Sequence, residues 1–474
     1  MSRGRGPAVL GAVATLLLLV GLLGARTGGA EPPRPVPEPA AGPLTPVLSA
    51  RRLPSVLVEP GRRAQFAPAL DELAANVPVE TTCVLAVVEG GPTLLDRNAA
   101  TLLRPASNQK LLTAYAVLAE PALGPDFRFR TTFETTARVV NGVLQGDLHV
   151  IGSGDPVLVT EDYAATSAEL AAVRTPAEGL VDVLRAAGVQ RIAGRLLADE
   201  SRYDNVRYHP NWPESLIAQD VAGPQSAFLV NHGFLAVPDG APSSPWAARS
   251  DDPAAASAAR LVQVLADGGI AVDGGGGAAP APPGRRVVAS LTSPAMRDIV
   301  GYLLRTSENT VAELLLKELG VVAAGTGSTV AGAAAVLERL RADGFAVDGV
   351  VVSDGSGLDD GSLLSCRLLD AVIARSGRRS PLVEGLAVAG VSGTMRRRLA
   401  GTDGEGRIHA KTGTMGSITS LAGVVDGHDG SVVRFAIIAN DGNANGSKYL
   451  EDRLTLAMAI FDPGPTLDRI GPRG

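Results

Sequence analysis

The sequence predicts an α+β fold interrupted by a large insertion, and three observations carry that reading. Apolar residues recur at helical spacing in two widely separated stretches, one starting near Ser107 and one near Pro294. Short β-branched runs lie beside both stretches. The middle third mixes short strand-like pieces with a stretch rich in Gly, Ala and Pro.

Taken in order, Thr82 to Glu89 is β-branched and predicts a strand. Ser107 to Ala119 has helical spacing, with Pro105 as a start signal. Strands are expected over Phe127 to Phe133 and Val143 to Ile151, then a turn over Gly152 to Pro156. A helix over Thr175 to Ala187 and a strand over Gln190 to Ala198 follow. Gly233 to Arg286, with its Gly274 to Gly277 run, reads as mostly loop. Helical spacing returns over Pro294 to Leu319, Ser328 to Ala342 and Ser365 to Arg375. Ile408 to Thr412, Ile418 to Val425 and Val432 to Ala439 predict strands, and Lys448 to Phe461 predicts a closing helix.

The 474 residues carry 43 basic and 49 acidic side chains, which excludes an electrostatic nucleic-acid binder. Charged residues are 19% and hydrophobic ones 45%, a globular composition. Arg3 and Arg5 precede an uncharged run from Ala8 to Ala25, followed by the small residues Gly28-Gly29-Ala30. Residues 1–30 therefore read as an export signal or an uncleaved membrane anchor. Nine prolines between Glu31 and Pro60 make residues 31–60 an extended linker. Either reading of the N-terminus places the rest outside the cytoplasm, with membrane contact only through that segment. Two cysteines, Cys83 and Cys366, and five scattered histidines lack metal-ligand spacing. Export permits a disulfide, but two buried thiols fit the sequence equally.

Only four of the 43 basic residues are lysines: Lys110, Lys317, Lys411 and Lys448. Arginine stays protonated, whereas a lysine amine can be tuned to lose its proton, so these four are the first candidates for chemistry. Lys110 follows Ser107 by three positions, which puts amine and hydroxyl on one helix face. A desolvated lysine there can accept the serine proton. Lys411 opens Lys-Thr-Gly-Thr over 411–414. Alternation in a strand puts Lys411 and Gly413 on one face, where a glycine lets a substrate backbone approach. The lysine and the hydroxyls of Thr412 and Thr414 suit a carboxylate. Ser307-Glu308-Asn309 lies in the helical region between these motifs. Ser-x-x-Lys and Ser-x-Asn say little alone and Lys-Thr-Gly is expected by chance roughly 0.03 times, but the three together would arise by chance roughly 0.004 times.

The ordered set Ser107-x-x-Lys110, Ser307-x-Asn309 and Lys411-Thr412-Gly413 resembles the penicilloyl serine transferases, a set named among known catalytic motifs. Within them the chain resembles the low-molecular-mass class C penicillin-binding proteins, which are D-alanyl-D-alanine carboxypeptidases and endopeptidases. Further marks are Gly146-Asp147-Leu148 through Gly154-Asp155-Pro156, Ser293-Pro294, Ala312-Glu313-Leu314-Leu315 and Asp354-Gly355-Ser356-Gly357-Leu358. The resemblance implies a transpeptidase-like catalytic domain, an antiparallel sheet flanked by helices, built from 61–128 and 288–463. Residues 129–287 would form the inserted domain or domains. It implies that Ser107 is the nucleophile and Lys110 its base. Ser307 would relay a proton to the leaving amine, Asn309 would hold the substrate backbone, and Lys411 would supply positive charge. Thr412 and Thr414 would bind the terminal carboxylate of D-Ala, and the N–H groups of Ser107 and Thr414 would form the oxyanion hole. The implied partners are peptidoglycan stem peptides, with β-lactams as acylating inhibitors. No cofactor is implied, and oligomeric state stays open.

One departure stands out. The family commonly has an arginine one residue after Asp-Gly-Ser-Gly-Leu, where this chain has Asp360. Weaker preference for a carboxylate at the far end of the substrate is expected. Two rival readings are a β-lactamase and a non-enzymatic penicillin-sensing or peptidoglycan-binding protein. The first lacks a Glu-x-x-Leu-Asn element, and against the second all seven polar side chains of the site are present.

Overall fold

The structure, a computed structural model, describes residues 67–460 except 76, 77, 79, 236–248, 428 and 429. The expected export segment, the linker and the chain's final residues lie outside the described residues.

A six-stranded antiparallel sheet organises the fold. Its strands are β1 (Thr82–Val88), β2 (Thr93–Arg97), β3 (Ala387–Val388), β4 (Ile408–Met415), β5 (Ile418–Asp426) and β6 (Val432–Ala439), in spatial order β3-β4-β5-β6-β1-β2. Side chains alternate faces along a strand, so the inner strands β1, β5 and β6 each feed two cores. On β1, Cys83 and Leu85 join one core while Val84, Ala86 and Val88 join the other. On β6, Ala436 and Ile438 face the first and Val433, Phe435 and Ile437 the second. Being buried on both faces, these strands read as continuous apolar runs, and each fully buried aliphatic side chain contributes about 1.5–3 kcal/mol.

Helices α1 (Gln109–Ala119), α2 (Met296–Thr306), α3 (Asn309–Ala324), α4 (Thr329–Ala342) and α5 (Cys366–Ser376) cover the first face. Helix α6 (Ala444–Ile460) packs Leu454 and Met458 on the second. Ser328 and Ser365, the first residues of two expected helical stretches, accept from Ala331 N and Leu368 N and cap α4 and α5. Cys83 and Cys366 form a disulfide, with Cα atoms 6.0 Å apart, that ties β1 to the first residue of α5. Tertiary proximity closes the choice that the sequence left open.

Between Arg130 and Thr292 the chain builds two small sheets, besides a two-stranded pair of Leu158–Val159 with Thr175–Pro176. One orders Gly276–Ala278, Leu196–Asp199, Leu148–Ile151, Arg130–Thr135 and Arg286–Thr292; the other orders Ala271–Val272, Arg191–Ile192, Val143–Leu144 and Val139–Val140. This corrects two strand expectations. The runs 143–151 and 190–198 are each two strands, split between the sheets. At both breaks a glycine permits the crossing: a Cβ on Gly194 would overlap Gly146, where Asp147 Oδ1 accepts from Arg195 N at 2.7 Å. The strand expected over Phe127 to Phe133 runs later, over Arg130–Thr135.

Three helical readings also change. The loop expected over 233–286 contains a 15-residue helix, Pro253–Asp267, and the Gly274 to Gly277 run contributes a strand. Asp252 caps that helix, Pro253 sits in its first turn, and Ala254, Ala258, Leu261 and Leu265 bury one face. Alanine favours the helix, so composition alone misled. Thr175 and Pro176 form a short strand ahead of a helix confined to Gly179–Ala186. The single helix expected over 294–319 is two helices, α2 and α3, separated at Ser307. Ser307 adopts φ 65°, the left-handed conformation that ends a helix.

Candidate active site

The site begins with a short turn, Ala106–Asn108, that leads into α1. Ala106 has φ 46°, a conformation that costs a non-glycine residue about 1–2 kcal/mol. Neighbours hold it from two sides. Ser420 of β5 donates to Pro105 O at 2.6 Å and accepts from Asn108 Nδ2 at 2.6 Å. Gly357, at φ 81°, lies against Ala106 O so closely that a Cβ would overlap it. The turn thus fixes Ser107 at the start of α1, half-buried.

Lys110 is fully buried one helical turn later. Its Nζ lies 2.9 Å from Ser107 Oγ, 2.7 Å from Asn309 Oδ1 and 2.7 Å from Ser356 O. The last two partners are acceptors, so a neutral amine spends its two hydrogens on them and turns its lone pair to the serine hydroxyl. Burial lowers the Lys110 pKa to about 8, against the opposing charges of Asp354, Glu313 and Glu308.

The break between α2 and α3 places the second motif. Ser307 closes α2 and Asn309 opens α3, with Glu308 accepting from Thr310 N as the cap. The Asn309 amide is held at both ends: Oδ1 accepts from Lys110, and Nδ2 donates to Val221 O at 2.5 Å. Asn309 therefore fixes the Lys110 amine, in addition to the substrate contact expected of it.

The third motif lies along β4. Lys411 is fully buried and its Nζ donates to Ser307 Oγ at 2.8 Å and to Thr412 O at 2.7 Å. Burial and the nearby Lys110 charge hold its pKa well below the usual lysine value. Gly413 corrects the reason given for it. Its open face receives the chain itself: a Cβ there would overlap Ser420 Oγ and lie 3.0 Å from Pro105 O and 3.1 Å from Ser107 N. The glycine lets the nucleophile turn seat on the sheet.

Main-chain direction along β4 follows from its pairing. Ala389 N donates to Ile408 O on the β3 side, while Asp426 N donates to Arg407 O on the β5 side. Alternation then points the N–H and C=O of Thr412 and Thr414 away from β5. β3 pairs only with His409 and Ala410, so those groups face an open edge. Thr414 is exposed there, and Thr412 Oγ1 donates to Thr394 Oγ1 at 2.8 Å.

All eight candidate residues thus gather around one edge of the sheet. Sequence reasoning missed the groups that hold them: Asn108, Val221, Glu313, Asp354, Ser356, Thr394 and Ser420. Glu313 and Asp354 lie inside segments singled out as signatures, which was the available signal. Glu313 is fully buried, accepts from Gly355 N and Ser356 N at 2.8–3.2 Å, and burial beside Asp354 raises its pKa to about 8. Lys317, whose role the sequence leaves open, is fully buried and bonds Asp204 Oδ1 at 2.5 Å and Val206 O at 2.9 Å. Asp360 is exposed and pairs with Arg104 at 3.5 Å.

The family model described as the D-Ala-D-Ala carboxypeptidase 3 (S13) family matches residues 67–239 and 235–458. The chain is 28% identical to a D-alanyl-D-alanine carboxypeptidase of Actinomadura sp. (strain R39), over 83% of this chain and 82% of that one. It is 30% identical to Carboxypeptidase Rv3627c of Mycobacterium tuberculosis, over 89% and 88% respectively. Among solved structures it resembles penicillin binding protein 4 of Haemophilus influenzae, with a TM-score of 0.65 and 22% identity, covering 81% of this chain and 99% of that one.

Proposed function

Since the chain belongs to the D-Ala-D-Ala carboxypeptidase 3 (S13) family, we infer that it is a serine peptidase that hydrolyses the D-Ala-D-Ala bond of peptidoglycan stem peptides. In this reading Ser107 Oγ attacks the carbonyl of the penultimate D-Ala as Lys110 takes its proton. The N–H groups of Ser107 and Thr414 receive the developing oxyanion. The Thr412 and Thr414 hydroxyls, with the Lys411 charge behind them, receive the terminal carboxylate. Ser307, hydrogen-bonded to Lys411, passes a proton to the departing D-Ala amine. Water then attacks the ester on Ser107 and releases the shortened peptide. A β-lactam enters by the same first step. D-Ala cross-links present the same kind of bond, and access to the open edge of β4 decides between the two substrates. Stem peptides place the working enzyme outside the cytoplasm, which agrees with residues 1–30 as a signal or anchor.

The observation that carries this reading is the buried Lys110 amine, with two fixed acceptors and 2.9 Å from Ser107 Oγ. The test is covalent labelling by fluorescent penicillin, together with D-Ala release from a D-Ala-D-Ala peptide. Ser107→Ala should abolish both. Labelling that persists in Ser107→Ala sinks the nucleophile assignment.

A further inference from the structure

Asp354 is fully buried, and its hydrogen-bond partners are neither Ser107 nor Lys110. Its carboxyl receives donors from four groups: Trp212 Nε1 at 2.8 Å, Gly357 N at 2.7 Å, Asp359 N at 2.8 Å and Ser356 Oγ at 3.4 Å. The Gly357 N–H belongs to the same peptide group as the Ser356 C=O. That carbonyl accepts from Lys110 Nζ at 2.7 Å. One peptide therefore has the Asp354 carboxylate at its N–H end and the general base at its C=O end. A carboxylate on the N–H polarises the peptide and strengthens its oxygen as an acceptor.

We propose that Asp354 is a positioning residue that sets the direction and proton affinity of Lys110 through the Ser356–Gly357 peptide, and that Trp212, from the segment between the two catalytic stretches, holds Asp354 in place. The role rests on Lys110 acting as the base of Ser107.

The surroundings support it. Trp212 is buried and packs with Ala222 and Leu358, beside the Val221 whose carbonyl fixes Asn309. The groups facing Lys110 are Asp354 from this loop, Glu313 and Glu308 from α3 and its cap, and Lys411 from β4. Asp354 is the largest of the three charges that raise the Lys110 proton affinity against burial. Asp354 in turn faces Lys110 and Glu313. Asp359 offers Asp354 only its N–H, and its own carboxylate pairs with His209, Asn211 and Ser353. Burial raises the Asp354 pKa, while Trp212, Gly357, Asp359 and Lys110 pull it back toward the ionised form.

The sign of the effect follows. Removing the Asp354 charge lowers the proton affinity of Lys110. The acid limb of the acylation profile then moves to lower pH, by about one unit for the loss of one nearby buried opposite charge. The alkaline plateau falls, because a weaker base takes the serine proton less readily. A purely structural role would lower the plateau and leave the limb in place.

The test is the second-order rate of acylation by nitrocefin as a function of pH, for the full-length protein and for Asp354→Asn. A limb displaced to lower pH bears the proposal out, and a limb at the wild-type position or above overturns it. Where Asp354→Asn fails to fold with the wild-type melting transition, or acylates too slowly to profile, Trp212→Phe decides. That change removes the indole N–H, and a limb displaced to lower pH is again required; any other result overturns the proposal. Failure of the reading beneath it looks different, since the wild-type protein would then not be labelled at Ser107.

Discussion

Lys411 Nζ donates to Ser307 Oγ over 2.8 Å, and the hydroxyl is there only because Ser307 turns left-handed between two helices. The pair joins a strand to a helix break 104 positions earlier in the chain. Removing the hydroxyl takes away the proton path to the leaving amine. Ser307→Ala should slow D-Ala release by about 10²-fold or more. Lys411→Arg should also fail, because the fully buried socket fits a compact ammonium and not a planar guanidinium. Steady-state hydrolysis of a D-Ala-D-Ala peptide measures both, and near-wild-type rates would remove Ser307 and Lys411 from the mechanism.

The Lys110 base must be neutral to act. With its pKa lowered to about 8 by burial, it is mostly protonated below that pH and mostly free above it. Acylation by a β-lactam should therefore rise with pH through about 8 and then level. Lys110→Arg should abolish acylation, since arginine does not lose its proton. A wild-type rate that stays flat from neutral to alkaline pH would contradict this assignment.

Gly413 leaves room for Ser420 to reach Pro105 and for the nucleophile turn to rest on β4. Gly413→Ala should displace that turn and lower acylation by about 10²-fold, a typical result of misplacing a reacting group by an ångström. The thermal transition should fall only modestly. Stopped-flow acylation beside a melting curve separates the two, and an alanine variant with wild-type kinetics would refute the packing argument.

Lys317 and Lys448 lie outside the three motifs, and from the sequence alone arginine would be nearly silent at both. Burial separates them. Lys317 fills a closed socket against Asp204 and Val206, whereas Lys448 is only half-buried on α6. Lys317→Met should destabilise the protein by about 1–3 kcal/mol, moderated because Asp204 is partly exposed and can be rehydrated. Lys317→Arg should also lower the melting temperature, and Lys448→Arg should not. Equal melting temperatures for the two arginine variants would contradict this reading.

Asp360 and Arg104 pair at 3.5 Å on the exposed rim, three residues before Ser107. The pair leaves no net positive charge where the family commonly supplies one. Peptides with an amidated side chain should be turned over at least as well as those with a diaminopimelate-type carboxylate. Asp360→Arg should shift that ratio toward the carboxylate. A clear preference of the wild-type enzyme for the carboxylate would count against the argument.

Much of the catalytic machinery was legible in the chain as written. Ser107 and Lys110 lie one helical turn apart, and a three-residue spacing already puts them within reach of each other, although Ser420, Gly357, Asn309 and Ser356 hold the two in place. Lys411, Thr412 and Thr414 are tied to one another by the strand they share. The three strands from residue 408 on are nearly as expected, the last two because each is a long, mostly apolar run buried on both faces.

What the sequence by itself determined was therefore local: spacing, periodicity and the residue types able to do this chemistry. What only the tertiary structure decided was which distant groups meet. The Cys83–Cys366 bond, the Val221 carbonyl on Asn309, the Lys317–Asp204 pair and the Ser356 carbonyl on Lys110 each join positions that no local period connects. The helix over Pro253–Asp267 was missed for a related reason, since its alanines gain their meaning from the core that they face. The four lysines make the same division. Scarcity marked all four as candidates, but exclusion from water, a property of the folded protein, separates Lys110, Lys317 and Lys411 from Lys448.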